Sequence, residues 1–248
     1  MNIIADTHTH TTASTHAYSS LQEMVHAASL KGLYAIAITD HGINMPSAPG
    51  RWYFTNLRVV PHMLEGVLVL RGQETDVIDF EGNTDLEDEC ADKLDWIVAS
   101  IHSDAMISEK PTVESVTNAW LNIAKNPHIN VIGHSGSIEY KYDYETVIPE
   151  FGRQGKLVEI NEGSNIARKK SIPNCIKIIE VCKKHSVPII VNSDSHFSTG
   201  VGCFEHSLAL LEELDFPEEL VVNSSVARFQ AYLREHSVVV KDPLLKLQ

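Results

Sequence analysis

Asp6-Thr7-His8-Thr9-His10 follows an apolar run, Ile3-Ile4-Ala5, and a further histidine, His16, comes shortly after. Side chains two apart on an extended chain point the same way, so His8 and His10 offer two imidazoles to one ion from a strand end. Neutral imidazole is the commonest protein ligand for metals. The arrangement recurs along the chain: Thr39-Asp40-His41, Gly72-Gln73-Glu74, Ser100-Ile101-His102, Gly133-His134 and Ser193-Asp194-Ser195-His196 each close an apolar run. His8, His10, His16, His41, Glu74, His102, His134, Asp194 and His196 are more ligands than one ion uses, because zinc normally takes four. Two or three divalent ions are therefore expected. A water bound to such an ion loses its proton near neutral pH, and neighbouring ions can hold both the attacking and the leaving oxygen of a phosphoryl group. That chemistry, in a positively charged centre, points to a phosphate ester.

The elements that must position these residues follow one alternation. Ser20 and Glu23 form a capping-box signature ahead of Leu21, Met24, Val25 and Ala28 at helical spacing, ending near Gly32. Tyr34–Thr39 reads as a parallel strand buried on both faces. A loop with Pro46, Pro49 and Gly50 leads to a helix from about Trp52 to Met63. Strands are then expected at Val67–Glu74, Trp96–Ile101, Asn130–Ile132, Lys156–Ile160 and Pro188–Asn192. Helices are expected near Leu86–Lys93, from Thr112 to Asn126, from Ser171 with Ile172, Ile176 and Ile179 inward, and at Phe204–Leu214 and Ser225–Glu235. Leu220-Val221-Val222 is a weak eighth strand. Seven alternations predict an α/β fold, a parallel (β/α)7 TIM-like barrel, and in such folds active sites sit at the C-terminal strand ends.

At 248 residues, 43% hydrophobic and 21% charged, the chain is expected to form one domain over 1–248. No run of about 18 apolar residues occurs, and MNIIADTHTH lacks the basic flank and apolar stretch of a signal peptide. A cytoplasmic protein without a membrane span is expected. Cys90, Cys175, Cys182 and Cys203 lack C-x-x-C spacing and read as reduced, packed thiols. The formal charge of −13 argues against nucleic acid and anionic membrane as partners, which leaves a small phosphorylated substrate. The sequence carries no signal of oligomeric state. His26, His62, His128, His185, His206 and His236 fall in or near helices or in a loop, away from strand ends, and are read as structural.

These ordered motifs resemble the PHP (polymerase and histidinol phosphatase) domains, metal-dependent phosphoesterases, and among them the YcdX-like phosphatases. The resemblance implies a distorted seven-stranded barrel and a trinuclear metal centre, usually zinc, with manganese or iron as variants. It implies that His8, His10, Glu74 and Asp194 hold one ion, that Glu74 bridges to a second held by His102 and His134, and that His16, His41 and His196 hold the third. Arg168-Lys169-Lys170 resembles a basic stretch of the family and is expected to bind phosphate, chiefly through Arg168 and Lys169; a planar guanidinium suits that anion. The expected reaction is hydrolysis of phosphomonoesters by a hydroxide held between the ions, with Asp104 or a metal-bound water as the acid. Ser135, where relatives usually carry Pro, and Ser103–Met106 depart from the family pattern where substrate would sit. Three other readings stand beside this one: a phosphodiesterase or nuclease on the same ligands, an amidohydrolase, and a non-catalytic metal-binding regulatory domain. The amidohydrolase lacks support because His102 stands where its bridging lysine would be. No Walker loop, G-x-S-x-G elbow or dinucleotide fingerprint is present.

Overall fold

The computed structural model describes residues 1–107 and 110–237. Seven parallel strands form a nearly closed barrel: β1 (Ala5–Thr9), β2 (Ala35–Ile38), β4 (Val67–Asp76), β5 (Trp96–Ser100), β6 (Val131–Ile132), β7 (Leu157–Asn161) and β8 (Ile189–Asn192), hydrogen-bonded in that order. A short β3 (Met63–Leu64) pairs antiparallel with the start of β4. Every β4 residue but Arg71 is buried, as expected of a strand covered on both faces. Close strand approach requires glycine at Gly72, where a Cβ would meet Trp96 O at 2.5 Å, two residues before Glu74.

Alternation along β4 stacks Leu68, Leu70, Gly72, Glu74 and Asp76 on one face. Leu68 and Leu70 belong to an interior cluster with Ala35, Ala37, Trp96, Val98, Val131, Leu157 and Ile190. The last helix, α9 (Val226–His236), adds Phe229 and Leu233 to that cluster and closes the N-terminal end of the barrel. Trp96 packs against Phe229 and Tyr232 with ring centroids 5.9 and 5.8 Å apart. The interior is thus apolar at its floor and polar at the opposite, C-terminal rim. A register shift between Asp6 and Thr9 of β1 carries the chain from the apolar floor at Ala5 to the polar rim at His8 and His10.

The other helices cover the barrel: α1 (Leu21–Leu30), α2 (Arg51–Asn56), α3 (Asp88–Ala91), α4 (Val113–Lys125), α5 (Tyr144–Arg153), α6 (Glu162–Ile166), α7 (Ile172–His185) and α8 (Glu205–Glu213). The Ser20–Glu23 capping box forms as expected. The expected helix to Met63 stops at Asn56 and gives way to a 3-10 turn and β3, because Pro61 has no N–H to donate and Glu65-Gly66, both at positive φ, turn the chain back as a hairpin. The helix near Leu86–Lys93 shrinks to α3. On α7 the buried stripe is Ile178, Ile179, Val181 and Cys182, so Ile172 and Ile176 are only partly covered. Helix α5, with Pro149 inside it, was not expected.

No regular ladder joins β8 to β1. Val191 N donates to Asn223 Oδ1 (3.1 Å), and Asn223 Nδ2 faces Ala5 O (2.8 Å) and Val191 O (2.6 Å). Ile189 and Val221 form one isolated bridge, so the weak eighth strand is a pair of 3-10 turns whose asparagine fills the seam. Nearer the rim, Asp194 N donates to His8 O and His10 N to Ser195 O. Among the described residues, no helix is long and apolar enough to cross a membrane.

Candidate metal centre

All nine expected residues meet at the C-terminal rim. Six strands deliver them: His8 and Glu74 stand within β1 and β4, and the other seven follow the strand ends on irregular backbone. Asp194 adopts φ +57 and His134 φ +21, positions uncommon outside glycine that cluster at functional sites. Gly133, just before His134, sits where a Cβ would crowd the Ser100 hydroxyl and lie 2.8 Å from Val98 Cγ1.

Glu74 lies at the middle. Its Oε1 is 3.2 Å from His8 Nε2, 2.9 Å from His134 Nε2 and 3.6 Å from His102 Nε2, and its Oε2 is 2.8 Å from His41 Nδ1 and 3.5 Å from His10 Nε2. Asp194 Oδ1 is 3.3 Å from His10 Nε2 and 3.7 Å from His8 Nε2. His16 Nε2 faces His41 Nε2 at 3.2 Å and His196 Nε2 at 2.9 Å. Three groups have ligand atoms mutually close enough for one ion: His8, His10 and Asp194; His41, Glu74 and His102; His10, His41 and His196.

The donor set fits divalent cations on two observations. First, His8 Nε2 and His10 Nε2 are buried without a hydrogen-bond partner, and such orphaned groups are costly unless something uses the lone pair. Second, the opposite ring nitrogens are engaged. His8 Nδ1 is 2.7 Å from Glu159 Oε1, His102 Nδ1 is 2.6 Å from Asp76 Oδ1, and His196 Nδ1 is 2.9 Å from Asp194 O. Acceptors there fix the tautomer that leaves Nε2 free, as metal-bound histidines require.

Electrostatics favour positive charge in this cage. Burial would raise Glu74, but His8, His102 and His41 hold its carboxyl well below the usual range. Burial would likewise raise Asp194, which His8, His10 and Arg168 bring well below it. Burial lowers His8, yet Glu159, Glu74 and Asp194 raise it well above an ordinary imidazole. Burial and the neighbouring His41 drive His10 the other way.

Glu159 and Asp76 were not singled out in the sequence; a charged residue within a strand was the signal, but its partner was not written there. Glu159 is a charged residue inside an apolar strand, and its Oε2 also accepts from His134 N (2.8 Å). Asp76 sits two residues beyond Glu74, on the same strand face. Burial, with Asp85 and Glu74 nearby, pushes it up to about 9. Arg168 reaches the rim, where one of its terminal nitrogens is 2.8 Å from Asp194 Oδ2 and its buried Nε has no partner. Lys169 and Asp104 are exposed. The histidines read as structural lie elsewhere: His26 pairs with Glu65, His62 with Asp95, His185 with Glu145 and His206 with Glu162.

Residues 6–163 match the family model of the PHP domain. A protein of Acetivibrio thermocellus named probable phosphatase is 44% identical over 234 residues, covering 94% of this chain and 96% of its own. Another of that name from Caldicellulosiruptor saccharolyticus is 43% identical over 236 residues, covering 95% and 98%. Among solved structures, the histidinol phosphate phosphatase of Lactococcus lactis, complexed with zinc, L-histidinol and phosphate, aligns with a TM-score of 0.60 at 14% identity. It covers 88% of this chain and 95% of its own, a likeness of fold. With the family match spanning most of the barrel and relatives similar from end to end, the chain belongs to the PHP domain family.

Proposed function

We propose that the protein is a metal-dependent phosphatase that hydrolyses small phosphomonoesters at the rim cluster. The carrying observation is the convergence of seven imidazoles and two carboxylates with unpartnered Nε2 atoms at its centre. The names of the relatives, and the zinc and phosphate held by the Lactococcus lactis enzyme, support the reading. Divalent ions, three by the ligand count and zinc by the imidazole-rich set, would supply Lewis acidity toward phosphoryl oxygens and an activated water.

His8, His10 and Asp194 would hold one ion, and His102, His134 and Glu74 a second. His16, His41 and His196 would hold the third. Glu74, within 3.6 Å of five imidazoles through Oε1 and Oε2, is placed to serve two ions at once. Arg168 anchors on Asp194 and keeps its Nε for an anion, so it would orient the phosphoryl group and partly neutralise it. In a chain of net charge −13, ions loaded at the rim would make it attractive to a small anion.

The test pairs metal content with turnover. Protein purified without chelator should carry about three zinc ions by the ligand count and hydrolyse p-nitrophenyl phosphate, lose activity on stripping, and regain it with added metal. Arg168→Ala should raise KM roughly tenfold, about 1.4 kcal/mol of binding. Bound metal with hydrolysis of bis(p-nitrophenyl) phosphate alone would assign the centre to diesters, and bound metal with no turnover would overturn an enzymatic role.

A further inference from the structure

Asp40 is fully buried and accepts five hydrogen bonds, all from outside the cluster of nine. Four come from the turn that separates His10 from His16. Asp40 Oδ1 accepts from Thr11 N (2.8 Å), Ser14 N (3.2 Å) and Ser14 Oγ (2.7 Å), and Oδ2 accepts from Thr11 Oγ1 (2.8 Å). The fifth donor is the Tyr53 hydroxyl on α2. Burial first, and the Asp40 carboxylate second, push the Tyr53 phenol up, so it stays a donor.

Ser14 passes this constraint toward the rim. Because its hydroxyl donates to Asp40, its lone pairs face the His41 backbone N–H at 3.1 Å and His10 Nδ1 at 3.4 Å. A proton on His10 Nδ1 that points at Ser14 leaves Nε2 with its lone pair toward the centre. Asp40 therefore bears on the path of the turn to His16, on the backbone at His41 and on the tautomer of His10. Two of these feed the corner where the Nε2 atoms of His16, His41 and His196 meet.

We propose that Tyr53 and Asp40 are positioning residues for that one corner, so that uptake of the ion held by His16, His41 and His196 depends on the packing of α2. The proposal rests on the reading that the cluster holds more than one divalent ion. It sets this ion apart from the others, whose outer partners Glu159 and Asp76 lie on barrel strands; α2 belongs to an excursion between β2 and β3. Removing a hydrogen-bond partner of a metal-ligating side chain typically weakens metal affinity about 10–100-fold, and Tyr53 acts from further out, so the lower end applies.

Zinc titration of the metal-stripped full chain against a chromophoric chelator tests it. Tyr53→Phe deletes a single hydroxyl; the expected result is one ion bound about tenfold more weakly, with the others unchanged. Ser14→Ala, which cuts the connection at its other end and also removes the acceptor at His10 Nδ1, should weaken the same ion and, through His10, the one held with His8 and Asp194, while leaving the ion of His102 and His134 unchanged. Thr55→Ala should bind as wild type, because this α2 hydroxyl bonds only its own helix. Unchanged affinity at every site in both Y53F and S14A would overturn the proposal. So would uniform weakening of all sites together with a lower Tm of the stripped protein, since that marks a general structural role. If wild type takes up a single zinc ion or none, the multinuclear reading fails and the proposal falls with it.

Discussion

Glu159 does for His8 what Asp76 does for His102: each carboxylate engages Nδ1 and leaves Nε2 facing the centre. Glu159 is the more heavily used, since its oxygens also face His134 N, Asn192 Nδ2 and Asn161 Nδ2 at 2.8, 2.9 and 3.0 Å. Glu159→Gln tests its role in fixing the tautomer. The amide is close in size, but an NH2 turned to His8 Nδ1 would favour the proton on Nε2 and block the lone pair. The expected outcome is zinc affinity lowered about 10–100-fold in chelator competition, with little change in the far-UV spectrum; wild-type affinity would remove Glu159 from the tautomer argument. The nine rim residues were legible because each stands at, or just beyond, the end of an apolar run. Glu159 and Asp76 were not, since a carboxylate inside a strand declares its partner only when the strands are brought side by side.

The seven strands were equally legible, because parallel strands buried on both faces are written as short apolar runs. The seam between β8 and β1 was not. Asn223 sits in a segment without strand periodicity, and nothing local marks its amide as a substitute for ladder hydrogen bonds. Helix α5 was hidden by Pro149, which normally interrupts a helix, and by the aperiodic stretch before it. The excursion that makes α2 and β3 depends on a hairpin turn at Glu65-Gly66 whose partner strand begins only at Val67. Asn223→Ala should be a severe change for an uncharged side chain. It strands the buried Val191 N–H and the Ala5 and Val191 carbonyls, at about 1–3 kcal/mol for each group left unpaired. A loss of at least about 3 kcal/mol is expected from the urea midpoint of the metal-free protein, and a change below about 0.5 kcal/mol, the ordinary range for surface substitutions, would mean that water or backbone closes the seam instead.

At the scale of the whole molecule, the rim residues tie six of the seven barrel strands to one small volume, and Glu159 of β7 supports them from the seventh. Ions bound there would act as cross-links of the native state alone. An ion present at about a hundred times its Kd contributes roughly 2.7 kcal/mol, and a kcal/mol shifts Tm by about 2–4 °C in a chain of this size. Stripping even one ion should therefore lower Tm by about 5–10 °C. The gap should also depend on pH with a definite sign. In the metal-free chain His8 and His41 are raised above 6.5, so their contribution is complete below that pH and is lost as pH rises through the folded values. Asp76, pushed up to about 9 by burial and its carboxylate neighbours, acts in the same direction, because it keeps a proton that the unfolded chain has released. Metal binding displaces protons from its ligands and strengthens as they leave. The Tm difference between loaded and stripped protein should accordingly widen from pH 6.5 to 8.5. A difference that narrows over that range would mean that something other than ions at this rim stabilises the loaded form, and equal Tm values at every pH would mean that the barrel closes without them.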